Sequence, residues 1–421
     1  MVPRSTSVFQ YNHGMTNEYL PGWVLRKKER IPTPCYVYDE LELAESARQL
    51  ATVLPPDARL FYSLKANPQP QIARFFHGLG IKPEIASEGE LEMCLAGGVP
   101  SSDVLVGGVA KSQRFLERMC REGCFAITID SAGELERLMS VPEHAGTARF
   151  LLRVNPGIAI GGLDMGGDSQ FGISVADAID TLRRGNFHAH KFLGLHFYFG
   201  SQRLKPEPIV KTVTIVTDVL RQFAAAGVPI KLVDVGLGCG VPYLEKDPAL
   251  DLEVVRRELT PLWSDPVWSG VELWSEAGRS LVAHAGSFIS TVIERKQLNG
   301  RTYVLLDGGL NVHNPGVGLG RFFKSNPRFQ FVAQSSAATR ERIEICGSLC
   351  TSADRLGGAV DAPYLTPGDL VVIPNSGAYC QTTAMWGFNS QTPFHEAMLG
   401  ADGELRHIEP QYRTFMARRS Q

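Results

Sequence analysis

Lys65 ends an apolar, aromatic-rich run that begins at Leu60, and Asn67-Pro68 then breaks the strand and opens a helix. A lysine at a strand end facing a pocket loses its proton once partly desolvated, and the free amine attacks a carbonyl carbon. A lone lysine beside a turn is ordinarily just solvated, so the reading depends on its company. Two glycine clusters supply it: Asp234-Val235-Gly236-Leu237-Gly238-Cys239-Gly240 and Glu276-Ala277-Gly278-Arg279-Ser280. Bare backbone N–H groups there can approach an anion, and Arg279 adds a forked, permanently charged donor. A G-x-G-x-G alone is more often a tight turn; followed by Gly-Arg it reads as a phosphate cup. Lysine and phosphate cup together imply pyridoxal phosphate. Glu276 supplies a carboxylate against the pyridine nitrogen, keeping the ring protonated so that it absorbs electrons released at Cα. His196, between apolar neighbours, is placed to stack on the ring, although such a histidine on its own is usually core.

These residues need a frame that gathers them. Strand-like runs occur at 60–65, 82–87, 103–107, 125–130, 149–154, 192–198, 231–236 and 271–276, with helical spacing at 40–53, 111–121, 131–140, 174–185 and 207–226. Ser131 and Ser174 are candidate N-caps, Ser131 forming a capping box with Glu134. The alternation predicts an α/β fold, a parallel (β/α)8 TIM barrel of alanine-racemase type, with a doubly wound open sheet as competitor. The barrel is favoured because Lys65, Ser87, Asp130, Arg153 with Asn155, His196, Gly236 and Glu276 all fall at strand carboxyl ends, where a barrel places its active site. From about residue 285 short strands at 287–295, 302–307, 328–333, 342–346 and 369–374 with Gly/Pro turns predict a C-terminal antiparallel β domain. The expected division is 1–39 as a segment joining the β domain, 40–285 as the cofactor-binding barrel, and 286–421 as the β domain. Gly157 to Gly167 serves equally as a plain connection or a mobile lid.

Composition narrows the function. A chain of 421 residues, 44% hydrophobic and 20% charged, builds a large core and two domains. The net charge of −2 excludes a basic surplus for nucleic acid or an anionic membrane. The eight cysteines contain no C-x-x-C pair and read as reduced cytosolic thiols. No signal pattern opens the chain and no apolar run is long enough to span a bilayer, so the expected location is the cytoplasm.

Motifs running in order through most of the chain resemble the ornithine/diaminopimelate decarboxylase family of alanine-racemase-like barrels. They are Thr33 to Asp39, Tyr62-Ser63-Leu64-Lys65-Ala66-Asn67, Glu84 to Glu90, Arg153-Val154-Asn155-Pro156, Gln170-Phe171-Gly172-Ile173, His196 to Ser201, Glu276 to Arg279, Cys350 to Asp354 and Gly377-Ala378-Tyr379. The resemblance implies pyridoxal 5'-phosphate joined to Lys65 as an imine, with Glu84 among its contacts, Arg153 at the ring hydroxyl, His196 stacked on the ring and Glu276 at the pyridine nitrogen. It places Ser201, Gly238, Gly278, Arg279 and Tyr379 around the phosphate, and Arg321, Cys350, Thr351, Asp354 and Tyr379 at the substrate. It also implies a homodimer with shared sites, in which Cys350 and Asp354 reach into the other subunit's centre and Cys350 delivers the proton that replaces CO₂. A racemase of this fold gains from a weakly protonated ring; the carboxylate of Glu276 favours decarboxylation.

The departures concern substrate. Enzymes of the family that take ornithine or diaminopimelate carry an acid just after the catalytic Cys, and here Thr351 stands there. An unpaired buried ammonium is costly, so a basic distal end is disfavoured. The Arg-Pro-x-x-Tyr segment that meets a distal carboxylate is lost from Asp307 to Asn314. The chain is more similar to a biosynthetic subgroup that decarboxylates a glutamyl group held on an acyl carrier protein. A diaminopimelate-type enzyme acting on a free amino acid, and a silent regulatory homologue, are the alternatives. Leu237 and Cys239 replace glycine and phenylalanine of the usual phosphate loop.

Overall fold

The computed structural model describes residues 22–314, 325–334 and 339–414, apart from 143, 145, 162, 186, 188 and 189. The first strand, β1 (Cys35–Asp39), precedes the barrel. The barrel strands are β2 (Arg59–Ser63), β3 (Lys82–Ile85), β4 (Leu105–Val106), β5 (Ala126–Ile129), β6 (Arg149–Arg153), β8 (Lys191–Tyr198), β10 (Leu232–Gly236) and β11 (Glu272–Ala277). All pair in parallel, and β11 pairs back onto β2, so the sheet closes and the open-sheet alternative falls. Each strand overlaps a run expected from the sequence, with β2, β8 and β11 reaching one residue beyond it and β4 shrinking to two residues.

Alternation along these strands builds the interior in layers. Phe61, Leu105, Phe125, Ala126, Leu151, Leu232 and Trp274 form an apolar floor inside the barrel. Phe61, Phe125 and Trp274 meet there with ring centroids 5.1 to 5.9 Å apart. Two residues further along each strand the inward side chains turn polar: Ser63, Thr128, Arg153, Asp234 and Glu276, joined by His196 of β8, all buried. The outward residues of the same strands, such as Leu152, Leu195, Val233 and Val235, pack against the helical ring.

Ser131 and Ser174 cap their helices by accepting from Glu134 N and Asp177 N. The capping box at Ser131 is corrected: the Glu134 carboxylate accepts instead from Asp130 N at 2.9 Å and Lys111 N at 2.8 Å. It also pairs with Lys111 Nζ at 2.9 Å. A buried lysine nearby outbids the local partner. The Gly157–Gly167 loop is tied rather than loose. Within it β7 (Leu163–Asp164) pairs with β9 (Gly200–Ser201), and Met165 N donates to Phe199 O at 3.1 Å.

Among the described residues the second sheet has nine strands in the order β16-β15-β13-β12-β1-β18-β19, with β17 on β12 and β14 on β17. Its members are β12 (Gly286–Leu298), β13 (Arg301–Leu306), β14 (Gln330–Val332), β15 (Arg340–Cys346), β16 (Arg355–Pro363), β17 (Leu370–Ile373), β18 (His395–Leu399) and β19 (Leu405–Ile408). It is mostly antiparallel, as expected, but β13–β15 and β1–β18 run parallel. The second of these pairs arises because β1 enters the middle of the sheet, between β12 and β18.

Glu396 of β18 ties this sheet to the barrel. Its carboxylate accepts from Tyr38 Oη at 2.7 Å, Gln69 Nε2 at 2.9 Å and Gln411 N at 2.6 Å. Burial nonetheless raises it to about 7, and it raises Glu90 to about 7 as well. The native chain thus holds protons that the unfolded chain releases above the ordinary carboxyl value, and stability falls as pH rises through that window. Thermal melts from about pH 5 to about pH 8 are expected to drop in midpoint, with Glu396→Gln removing about half of the slope. An unchanged slope in that variant would show that Glu396 is already ionised.

Candidate active site

Lys65 lies in a single 3₁₀ turn, Leu64–Ala66, directly after β2. The turn is fixed by Tyr62 Oη, which donates to Asn67 O at 2.7 Å, and by Asn67 Nδ2, which donates to Gly377 O at 2.9 Å. Lys65 Nζ lies 3.2 Å from Glu84 Oε2, with 40% of the lysine side chain exposed against 2% for the glutamate. The expected loss of the lysine proton by desolvation is corrected. Burial pulls Lys65 down, but Glu84 and Glu276 outweigh it and hold the ammonium above its ordinary value. The amine is freed only when its proton has somewhere to go, and Glu84 is the group in reach.

Glu276 closes β11 at the edge of the same cavity, whose wall includes Ser63, Lys65, Tyr198, Ser201, Leu237, Gly238, Gly278, Arg279 and Tyr379. His196 Nε2 lies 3.5 Å from Glu276 Oε1. Burial opposes ionisation of Glu276, yet His196, Lys65 and Arg153 overcome it and hold the carboxyl at about 2. Arg153 pairs with Asp130 at 3.1 Å and lies 4.4 Å from the Phe171 ring, while its Nη2 is buried with no partner among the described residues.

Opposite the lysine the backbone leaves room for an anion. Gly238 has φ +69°, and a Cβ there would sit 2.2 Å from Gly200 O, so glycine is required on both counts. Arg203 braces this turn: its N donates to Gly238 O at 3.1 Å and its Nη1 to Leu237 O at 3.0 Å. Arg279 donates from Nη1 to Tyr243 Oη at 3.0 Å, and its guanidinium stands 4.6 Å from the Tyr379 ring centroid. Tyr379 is locked in turn by its N–H to Ala66 O at 2.7 Å. Leu237 is buried in this wall and leaves the glycine turn intact.

His196 sits buried in the polar layer against Glu276, its Nε2 3.5 Å from Glu276 Oε1. Two residues on, at the same inward phase and one layer nearer the mouth, Tyr198 presents the aromatic face, its ring centroid 5.8 Å from Lys65 Nζ. Gly236 makes room for it, since a Cβ there would lie 2.4 Å from the ring. The period of β8 puts 196 and 198 on one side, and that signal, followed one step further, finds the tyrosine.

Of the residues assigned to substrate, Tyr379 lines this cavity, whereas Cys350, Thr351 and Asp354 stand apart from it. Cys350 is exposed, its N–H donating to Asn389 Oδ1 at 2.9 Å, and neither it nor Thr351 lines the cavity. Asp354 is corrected: it turns inward, with Oδ1 accepting from Leu310 N at 2.7 Å and Oδ2 from Leu349 N at 2.8 Å. Backbone donors occupy both its oxygens, and it shapes its own loop. Arg321 lies outside the described residues.

A lysine with a proton acceptor beside it, a glycine-arginine anion cup, a flat aromatic wall and a buried carboxylate fit a phosphorylated pyridine aldehyde. Barrel and site together define a lysine-dependent carbonyl-cofactor enzyme. The comparisons agree: residues 41–283 match the family model "Pyridoxal-dependent decarboxylase, pyridoxal binding domain". The L-glutamyl-[BtrI acyl-carrier protein] decarboxylase of Niallia circulans is 33% identical over 83% of this chain and 85% of that one. The diaminopimelate decarboxylase of Zymomonas mobilis is 27% identical over 88% of each. A crystal structure of diaminopimelate decarboxylase from Helicobacter pylori complexed with L-lysine superposes with a TM-score of 0.81 at 24% identity, covering 94% of this chain and 99% of that one. The chain belongs to the pyridoxal-dependent decarboxylase family and is a pyridoxal-phosphate-dependent amino-acid carboxy-lyase. Among the described residues no helix is long and apolar enough to cross a membrane.

Proposed function

We propose that this enzyme removes the α-carboxylate of an L-amino-acid or aminoacyl group whose far end carries no positive charge, a glutamyl group on an acyl carrier protein being the best fit. The observation that carries this reading is the loop from Gly347 to Asp354. Its one acid, Asp354, is occupied by the backbone N–H groups of Leu310 and Leu349, and Thr351 follows Cys350. The loop therefore offers no carboxylate to a distal ammonium, and burying that ammonium unpaired is costly. The similarity to the Niallia circulans enzyme supports the glutamyl form.

Pyridoxal phosphate, when bound, supplies the electron sink for the pair released as the Cα–carboxylate bond breaks. Lys65 would hold the cofactor through its carbonyl carbon, and Glu84, 3.2 Å away, would take and return the proton at Lys65 Nζ. Tyr198 covers the ring face in the role first expected of His196. Arg153 turns its unpartnered Nη2 to the ring hydroxyl, and Glu276 holds the proton at the pyridine nitrogen. Ser201, Gly238, Gly278, Arg279 and Tyr379 take the phosphate, Arg279 needing no reorganisation because Tyr243 and Tyr379 already fix it. The exposed Cys350 loop completes the centre of a second copy, where Cys350 delivers a proton to Cα, with Thr351, Tyr379 and Arg321 around the substrate.

The test is CO₂ release from free diaminopimelate, ornithine, lysine and glutamate against glutamyl-loaded carrier protein. Carrier-bound glutamate is expected to turn over at least about a hundredfold faster in kcat/KM than either dibasic acid, the discrimination expected of an unpaired charge. Ordinary turnover of free diaminopimelate would defeat the argument from Thr351.

A further inference from the structure

Asp234 has no part in the site as described so far, yet it is fully buried in β10 at the centre of the polar layer. Its register partners are His196 on β8 and Trp274 on β11. Neither carboxyl oxygen has a hydrogen-bond donor among the described residues. An Asp234 oxygen, a His196 ring nitrogen and a Glu276 oxygen nevertheless all lie within 4.8 Å of one another. The nearby basic side chains are turned elsewhere: Arg153 to Asp130, Lys65 to Glu84, and His196 Nε2 to Glu276.

Two carboxylates this close, above an apolar floor of Leu232 and Trp274, do not both ionise without a cation between them. Glu276 has His196, Lys65 and Arg153 to support its charge, whereas for Asp234 burial and the charges of Glu276 and Glu84 outweigh the pull of Lys65. The proton therefore belongs on the aspartate, and a carboxylic acid beside a carboxylate has one natural acceptor.

We propose that Asp234 is a positioning residue: it is a neutral acid whose O–H donates to Glu276 from inside the barrel, fixing that carboxylate's charge and aim. Burial first, then the negative charges of Glu276 and Glu84, push the Asp234 carboxyl well above the ordinary range, in agreement with this geometry. Glu276 is then held from below by Asp234 and from the side by His196, leaving its remaining lone pairs directed to the cavity. A neutral residue in the interior also explains why β10 tolerates an acid with no basic partner. The inference rests on the role given to Glu276 under the proposed function.

The test compares Asp234→Asn, which keeps a neutral donor of the same shape, with Asp234→Ala, which does not. In the wild-type apoprotein at neutral pH, an infrared difference spectrum against Asp234→Asn is expected to show one protonated-carboxyl carbonyl band that shifts in D₂O. Equilibrium binding of pyridoxal phosphate is expected to stay within about threefold in Asp234→Asn and to weaken by about tenfold or more in Asp234→Ala, the range for a lost donor to a buried charge. The visible absorption maximum of the bound cofactor is expected to move only in the alanine variant. The proposal is overturned if no carboxyl band appears, if the asparagine variant binds as poorly as alanine or fails to fold, or if the purified protein carries a stoichiometric metal ion at this cluster. The infrared band is read without substrate or cofactor, so a failed substrate panel leaves it standing.

Discussion

Lys65→Ala is expected to fold, to lose the visible absorption of the covalently held cofactor, and to fall in kcat/KM by about three orders of magnitude or more, the scale of losing a nucleophile that also moves protons. Folding survives because the side chain is 40% exposed and fills no core space. The variant strands Glu84, whose burial already raises it and whose ionisation Lys65 supports, so Glu84 takes up a proton and the site stays neutral. Lys65→Arg separates charge from chemistry. It keeps a cation for Glu84 but cannot condense with an aldehyde, and is expected to be as inactive as alanine. A small primary amine added to the alanine variant is expected to restore part of the turnover, and to do nothing for arginine. Activity in Lys65→Arg would remove the covalent role.

Glu276→Gln is expected to lower kcat by about a hundred- to ten-thousandfold, with KM changing far less. An amide preserves shape and the approach of His196, but it cannot stabilise a proton on the pyridine nitrogen, so the loss falls on the bond-breaking step. With the carboxyl held at about 2, Glu276 stays ionised across the usable pH range. The acid limb of the wild-type pH–rate profile is therefore expected to remain in place in any active variant at this position, because it belongs to another group. A rise in KM with kcat unchanged would mean that Glu276 only helps to bind.

The strands, the barrel and the lysine were legible because they rest on local patterns. Apolar alternation gave the barrel strands to within a few residues, though not the short β7 and β9, and Asn67-Pro68 marked the end of the turn that carries Lys65. What escaped depends on depth, which a strand's period does not encode. His196 and Tyr198 share a phase, and only the closed barrel shows that one packs against Glu276 and the other lines the cavity. Asp234 was visible as an acid in an apolar strand, but its neutrality needs Glu276, which is forty-two positions away in sequence and meets it in space. Asp354 looked like a hand extended to a partner because nothing in its own segment announces Leu310 N, whose donor comes from a different turn. The parallel pairing of β13 with β15 has the same origin: short turn-linked strands suggest hairpins, and the partner of β13 is not its successor.

The place of β1 in the middle of the second sheet has a consequence for synthesis. Cys35–Asp39 is synthesised well before the barrel strands, yet its parallel neighbour His395–Leu399 comes long after them. The nascent barrel can close around its own floor while that early strand waits with one edge unsatisfied, open to mispairing or to capture by a chaperone. Arrival of β18, rather than barrel closure, is then the event that commits the second sheet to its native form.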